Sequence, residues 1–336
     1  MITVLLCTHN GARFLGAQLD SLLAQTRPAS RIVISDDAST DGTWEILQRY
    51  AAQYPHISIR RHATHQTPDT TYNATPQIEI RTELPFVAPV AYPPLPPTAR
   101  NFLDLMVAER NDYLMLCDQD DVWHTDKIAR TLAKLNDMEA RHGATTPCLT
   151  HTDLTVVDES LHVINPSFRA AMDADWTRTT LRDQIVQNTA TGCTIMYNRA
   201  LANLLTEVPR YAVMHDWWLP LVACAFGYME PLATATIDYR QHAHNVIGAT
   251  DMRTFRYKLH RALNLDTVRH AVRITYPQAA ELLRIYAPQL KPADAAMLAS
   301  YANLPAQNKL ARLTTVIRER FWKSGLPRNL AYLLVL

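Results

Sequence analysis

Tyr113-Leu114-Met115-Leu116-Cys117-Asp118-Gln119-Asp120-Asp121-Val122-Trp123 runs a mostly apolar segment directly into three carboxylates. An apolar run that stops abruptly in acids reads as an interior strand, delivering a cation site to the carboxyl edge of a sheet, where open α/β folds bind ligands. A chain built this way handles a metal-bound phosphate. The residues leave a second reading open, an acidic loop in which Asp121 or Thr125 begins the helix that continues through Lys127, Ile128 and Leu132.

Outward from this stretch, short β-branched runs alternate with amphipathic helical patterns, the mark of βαβ units and a mainly parallel sheet. Thr3 to Cys7 predicts the first strand, followed by a helix with Phe14, Leu15, Leu19, Leu22 and Leu23 on one side. Arg31 to Ser35 predicts the second, ending in Asp36-Asp37-Ala38-Ser39-Thr40-Asp41-Gly42, before a helix that buries Trp44, Leu47 and Tyr50. Ile57 to Arg60 predicts a third. Between Ala63 and Thr98 there are eight prolines, no glycine and no sustained period, so this insertion reads as an extended loop, serving as a lid or only as added length.

Regular structure resumes with a short helix around Asn101–Met106, then the strand before the acidic run, then a long helix over Thr125 to Arg141. Further strands are predicted near Leu149, at Val156-Val157, at Cys193–Tyr197, and at an edge over Thr234 to Tyr239. From about Phe255 the pattern is helical, with breaks at Pro277, Pro288, Pro292 and Pro305. The expected division is a nucleotide-handling α/β domain over 1–250, including the Pro-rich insertion 63–98, and a helical C-terminal region over 251–336.

The 336 residues are 48% hydrophobic and 19% charged with a net charge of +1, which supports a sizeable core and gives no global attraction to nucleic acid. Five cysteines stand singly with no zinc-ligand spacing, as in a reduced, cytoplasmic protein. The sequence opens directly in a strand, without a charged leader, and no apolar run is long enough to span a bilayer.

The first two strands end in Cys7-Thr8-His9-Asn10-Gly11 and in Asp36-Asp37, presenting hydroxyl, imidazole, amide and carboxylate groups to one crevice. A carboxylate there accepts hydrogen bonds from ribose hydroxyls or a base N–H. Turn and N-cap chemistry would use the same Ser39, Asp41 and Gly42. Taken together, Thr3 to Gly11, Ile32 to Thr43 and Asp112 to Trp123 resemble the N-terminal half of an inverting family 2 glycosyltransferase with a GT-A fold. The resemblance covers about residues 1 to 250, and the Pro-rich stretch departs from it. It implies a nucleotide-sugar donor whose nucleoside is lined by Thr8, His9, Asn10 and Asp37. It also implies a DxD-type motif at Asp118 and Asp120, through which Mg²⁺ or Mn²⁺ holds the diphosphate. The wording DQDDVW, His215-Asp216-Trp217-Trp218 and Tyr239-Arg240-Gln241-His242 resembles the rhamnosyltransferase-like branch that builds bacterial surface polysaccharides, with a dTDP- or UDP-sugar as donor.

Chemistry asks for the same groups. A departing nucleoside diphosphate gathers charge that a cation held by Asp120, with Asp118 directly or through water, would offset. The acceptor hydroxyl needs a base. Asp216, between His215 and the indoles of Trp217 and Trp218, is the candidate, and by resemblance it is the family's catalytic base; as an alternative it would N-cap a helix starting at Trp217. One of the two tryptophans is expected in the acceptor pocket. His242 would complete the metal shell or touch the diphosphate, and Arg240 would offset its charge. Gly192, in Asn188–Cys193, sits where the family shapes its acceptor site and would let backbone approach a sugar, or mark a turn.

From Lys309 onward six basic residues face one acid, Glu319, interleaved with Phe321, Trp322, Leu326 and Leu330. Such a tail would rest on the anionic inner face of a membrane, pack on its own domain or form a homodimer. The function expected is metal-dependent transfer of a sugar to a saccharide or lipid-linked acceptor. The rivals are a sugar-phosphate nucleotidyltransferase, disfavoured because Thr8 to Arg13 has one glycine and one arginine, and a catalytically silent sugar-binding subunit.

Overall fold

A computed structural model describes residues 1–62, 94–173, 175–242 and 265–336. Strands β1 (Ile2–Thr8), β2 (Arg31–Asp36), β3 (Ile57–Arg61) and β4 (Tyr113–Cys117) lie where the apolar runs predict them. After them come β5 (Val122–Trp123), β6 (Cys148–Val157), β7 (Val163–Asn165), β8 (Ile195–Asn198) and β9 (Tyr228–Arg240). The sheet order is β3-β2-β1-β4-β8-β6-β9-β5, with β7 on β6. Its first half is parallel, as expected. The second half is mixed, because β8 runs antiparallel to both β4 and β6 while β6 and β9 pair in parallel.

The β1 register sets Cys7 opposite Ser35 and Leu6 opposite Cys117, so the loops after β1, β2 and β4 emerge side by side. This common edge is where the polar motifs collect. β1 and β4 are apolar on both sides because both sides of the sheet are covered. Leu5, Leu114 and Leu116 pack with α3 (Pro97–Ala108) through Phe102 and Met106, and with α8 (His215–Phe226) through Trp218, Leu219 and Val222. Val4, Leu6 and Met115 pack on the other side against Leu15, Leu19 and Leu22 of α1 (Ala12–Leu23), and against Ile128 and Leu135 of α4 (Lys127–His142).

Several expectations need correction. The Pro-rich insertion lies outside the described residues over 63–93, and its last prolines begin α3 rather than a loop, since Pro at the first helical turn forfeits no hydrogen bond. α4 starts at Lys127 with Asp126 at its N-cap, so Asp121 caps nothing. β9 is longer than expected and not an edge, for β6 covers its length and β5 flanks Ile237 and Asp238. It can start at Tyr228 because Gly227 lets the chain pass Pro147: a Cβ there would stand 1.9 Å from the Pro147 carbonyl oxygen.

The C-terminal helices Leu265–Arg273, Thr275–Tyr286, Pro292–Ala302, Lys309–Arg318 and Leu326–Val335 join the core of α3 and α8 through Tyr286, Tyr301, Phe321 and Tyr332. Gln278 and Glu281 also accept the backbone N–H groups of Val213 and Arg210, fixing the approach to α8. The expected domain boundary at 250 falls outside the described residues.

Candidate active site

Three loops and one turn build the site. Gln119, between the two DxD acids, is the unexpected member: its Oε1 accepts from the His9 N–H at 2.9 Å and its Nε2 donates to the His9 carbonyl at 3.0 Å. The side-chain amide thus pairs with the loop after β1 as a strand would. Gly11 is the condition for this, because a Cβ there would lie 2.2 Å from Gln119 Oε1. Nothing in the residue pattern marks Gln119 for this role; only the adjacency of β1 and β4 does.

On the nucleoside side, Thr8 needs correction. It is 2% exposed and its hydroxyl donates to Asp36 Oδ1 at 2.8 Å, which commits it to structure. Asn10 takes the left-handed backbone conformation and its Oδ1 accepts the Thr40 N–H at 2.8 Å, joining the first two loops. His9 Nδ1 lies 2.7 Å from the Asp37 carbonyl. The Asp37 carboxylate meets His62 Nδ1 at 3.3 Å, and His62 Nε2 meets Asp104 at 2.7 Å. Burial pulls the His62 pKa down, but the bonds to Asp104 and Asp37 prevail and raise it.

In the acidic loop the donor atoms of Asp118, Asp121 and Cys193 lie within 4.8 Å of one another. Asp120 turns instead to His242, whose Nε2 is 2.7 Å from Asp120 Oδ2, and the His242 ring stacks on Phe14 at 5.1 Å. Phe14, read from its spacing as part of the buried face of α1, therefore belongs to the site's wall. Arg240 also departs from expectation. It is 4% exposed, with its guanidinium 4.6 Å over Phe14 and bonded to the carbonyls of Asp120, at 2.9 Å, and Glu159. It fixes the acidic loop instead of offering a free charge to a diphosphate. The Arg240 N–H donates to Asp121 Oδ1, while Asp121 Oδ2, buried, has no hydrogen-bond partner among the described residues.

Two carboxylates with one imidazole suit a hard divalent ion by chemistry, but the structure does not gather the expected set: Asp118 lies with Asp121 and Cys193, while Asp120 pairs separately with His242. Cys193, a soft thiol, does not fit Mg²⁺ or Mn²⁺ as a ligand. Desolvation, then the charges of Asp120 and Asp216, push the Asp118 pKa up to about 7, so a cation would relieve what the fold imposes.

Asp216 is the second residue of α8, whose N-cap is Met214, so the N-cap reading fails. Its Oδ2 accepts the Gly192 N–H at 3.1 Å and its Oδ1 faces the Asn188 amide at 3.4 Å. Burial pushes its pKa up to about 7. Gly192, itself buried, stands so close that an added Cβ would be 3.2 Å from Asp216 Cβ. His215 stacks on Phe102 at 4.0 Å and is held neutral, its pKa pulled down to about 3 by burial. Of the tryptophans, Trp218 is core, 1% exposed, and cannot meet an acceptor. Trp217 is partly buried and donates its indole N–H to the Gln184 carbonyl at 2.6 Å, which fixes the ring near Asp216.

The turn Gly192–Thr194 joins the two halves. Its first N–H holds Asp216, and the next residue, Cys193, sits against Asp118 and Asp121. The charge of Asp216 is felt at Asp118. Asp216 and the acidic loop thus touch consecutive residues of one turn.

Residues 3–74 match the glycosyl transferase family 2 model. An uncharacterized protein of Mycobacterium tuberculosis is 26% identical over 257 residues, 76% of this chain, and the match spans 63% of that relative's length. The dTDP-rhamnosyl transferase RfbG of Shigella flexneri is 24% identical over 267 residues, 75% of this chain and 77% of RfbG. S. aureus TarS 1-349, solved in complex with UDP-GlcNAc, superposes with a TM-score of 0.51 over 99% of this chain and 90% of that one, at 13% identity, a likeness of fold. Over its N-terminal strands the chain is thus similar to glycosyl transferase family 2, and its sheet has the GT-A glycosyltransferase fold.

Proposed function

We propose that the chain is a metal-dependent inverting glycosyltransferase that moves a sugar from a nucleoside diphosphate to a hydroxyl of a saccharide or lipid-linked acceptor, in building a bacterial surface polysaccharide. What supports the reading is the arrangement made by the Gly192–Thr194 turn, whose Gly192 N–H meets the Asp216 carboxylate while Cys193 meets Asp118 and Asp121. In it Asp216 takes the proton of the acceptor hydroxyl, whose oxygen bonds to the anomeric carbon as the bond to the diphosphate oxygen breaks on the opposite side. The Gly192 N–H keeps the carboxylate aimed, and Trp217 lines the approach. Asp37, with His9 and Asn10, meets the nucleoside. Asp118, Asp120 and His242 would hold Mg²⁺ or Mn²⁺, which when bound offsets the charge of the diphosphate. Likeness to RfbG favours a dTDP-sugar, rhamnose first, and the fold shared with TarS makes a UDP-sugar the next choice.

The test is a thermal-shift screen of dTDP, UDP and GDP with and without Mn²⁺, followed by transfer assays on the selected donor. An ion-dependent shift with one nucleotide, together with turnover lost in both Asp120→Ala and Asp216→Asn, supports the enzyme. Ion-dependent binding with no turnover on any donor and acceptor would make the chain a silent binding subunit.

A further inference from the structure

The last two helices carry a surface for which the transfer reaction has no use. In Leu326–Val335, the side chains of Leu326, Leu330 and Leu334 follow one another at i, i+4 and i+8 and are 72%, 54% and 65% exposed. In Lys309–Arg318, Leu310 and Ile317, seven apart and so on one face, are 76% and 57% exposed. Five of the ten exposed large hydrophobic side chains among the described residues thus fall in this short segment. The opposite faces are the ones that fold the chain, since Val316 and Tyr332 are fully buried. Scattered apolar residues on a surface need no explanation, but a concentrated stripe does.

The charge around the stripe is one-sided. Arg312 and Arg328 are structural: Arg312 donates to the carbonyls of Leu304, Gln307 and Leu336, and Arg328 to those of Met172 and Asp173. Lys309, Arg318 and Arg320 remain exposed. The segment's single acid, Glu319, pairs with Arg318 at 3.1 Å and Arg182 at 3.8 Å. On the helix packed against the last one, Asp266 is paired with Arg269. A second copy docking by two-fold symmetry would set this basic patch against itself. No helix among the described residues is long and apolar enough to cross a membrane.

We propose that this face docks on the surface of a lipid bilayer carrying negative charge. The leucines enter the boundary between headgroups and acyl chains, and Lys309, Arg318 and Arg320 meet the lipid phosphates. Buried apolar area supplies the hold, and charge supplies the choice of lipid.

The test is co-sedimentation of the full chain with vesicles of phosphatidylcholine alone or mixed with phosphatidylglycerol. The chain is expected on the mixed vesicles, released by salt, and not on the neutral ones. Leu330→Ser with Leu334→Ser should weaken binding at least about tenfold. Arg318→Glu with Arg320→Glu should weaken it about fivefold per site and flatten its salt dependence. The substitutions should lower the melting temperature by only a few degrees, because the leucines are more exposed than buried and the Arg318–Glu319 pair lies at the surface. The proposal is overturned by absence from both vesicle types, by binding that ignores lipid charge or these substitutions, by a cooperative fold lost in the leucine variants, or by light scattering that shows a dimer dissolved by those variants.

Discussion

Replacing Asp216 by Asn separates what the carboxylate does for chemistry from what it costs the fold. The amide keeps the shape and still accepts the Gly192 N–H, but it carries no charge and takes no proton. Burial raises the Asp216 pKa from 3.8 to about 7. The native state therefore binds a proton that the unfolded chain has already lost between those two values, and stability falls as pH rises through that window. At 1.36 kcal/mol per unit, the carboxylate costs about 4 kcal/mol once pH exceeds 7, as an upper bound that relaxation and water entry would lower. In EDTA, with no ion bound, Asp216→Asn should match the wild type in urea unfolding near pH 4, exceed it by roughly half the full amount near pH 5.5, and by a few kcal/mol at pH 8. Transfer activity should fall by at least about 10²-fold to 10⁴-fold. A variant equally stable at every pH would refute the desolvated carboxylate, and a variant that keeps its activity would refute the base.

Four further outcomes follow from the geometry. The wild-type transfer rate should rise with pH through about 7, as Asp216 loses its proton; a limb near the ordinary carboxylate range would point to another base. Asp120→Ala should abolish the ion-dependent stabilisation by nucleotide, which in the wild type reaches about 2.7 kcal/mol when free nucleotide is a hundredfold above its Kd. Gly11→Ala should cost only about 0.5–1.5 kcal/mol by expelling the flexible end of Gln119 from the exposed His9 backbone, and in a double-mutant cycle with Gln119→Ala the losses should not add. Gly227→Ala should cost about 3 kcal/mol or more in denaturant unfolding, because its Cβ meets main chain that cannot swing away.

The parallel half of the sheet is legible because strands covered on both faces leave continuous apolar runs, as in Thr3–Cys7 and Tyr113–Cys117. The second half is not, since the direction of β8 is decided by its neighbours on either side and Ile195–Asn198 is only four residues long. The same division holds for the site. The acids of 118–121 and Asp216 stand out because carboxylates beside apolar runs have little else to do. Thr8 and Arg240 have the right chemistry but are already engaged, Thr8 by Asp36 and Arg240 by main-chain carbonyls. Trp218 is claimed by the core because its neighbour Trp217 takes the other face of the helix. Phe14 and Gln119 escape notice for the opposite reason, being ordinary residues given purpose by contacts across more than a hundred positions of sequence.

Because one three-residue turn steadies Asp216 through Gly192 and abuts the acidic loop through Cys193, the proposed base and the proposed cation site are mechanically geared. Under that proposal, a backbone shift there would disturb both in the same stroke. Efforts to re-engineer the acceptor preference near Gly192 should therefore find donor behaviour drifting alongside it, and the safer handle for such work is the Trp217 indole, which is held by the Gln184 carbonyl and not by the turn.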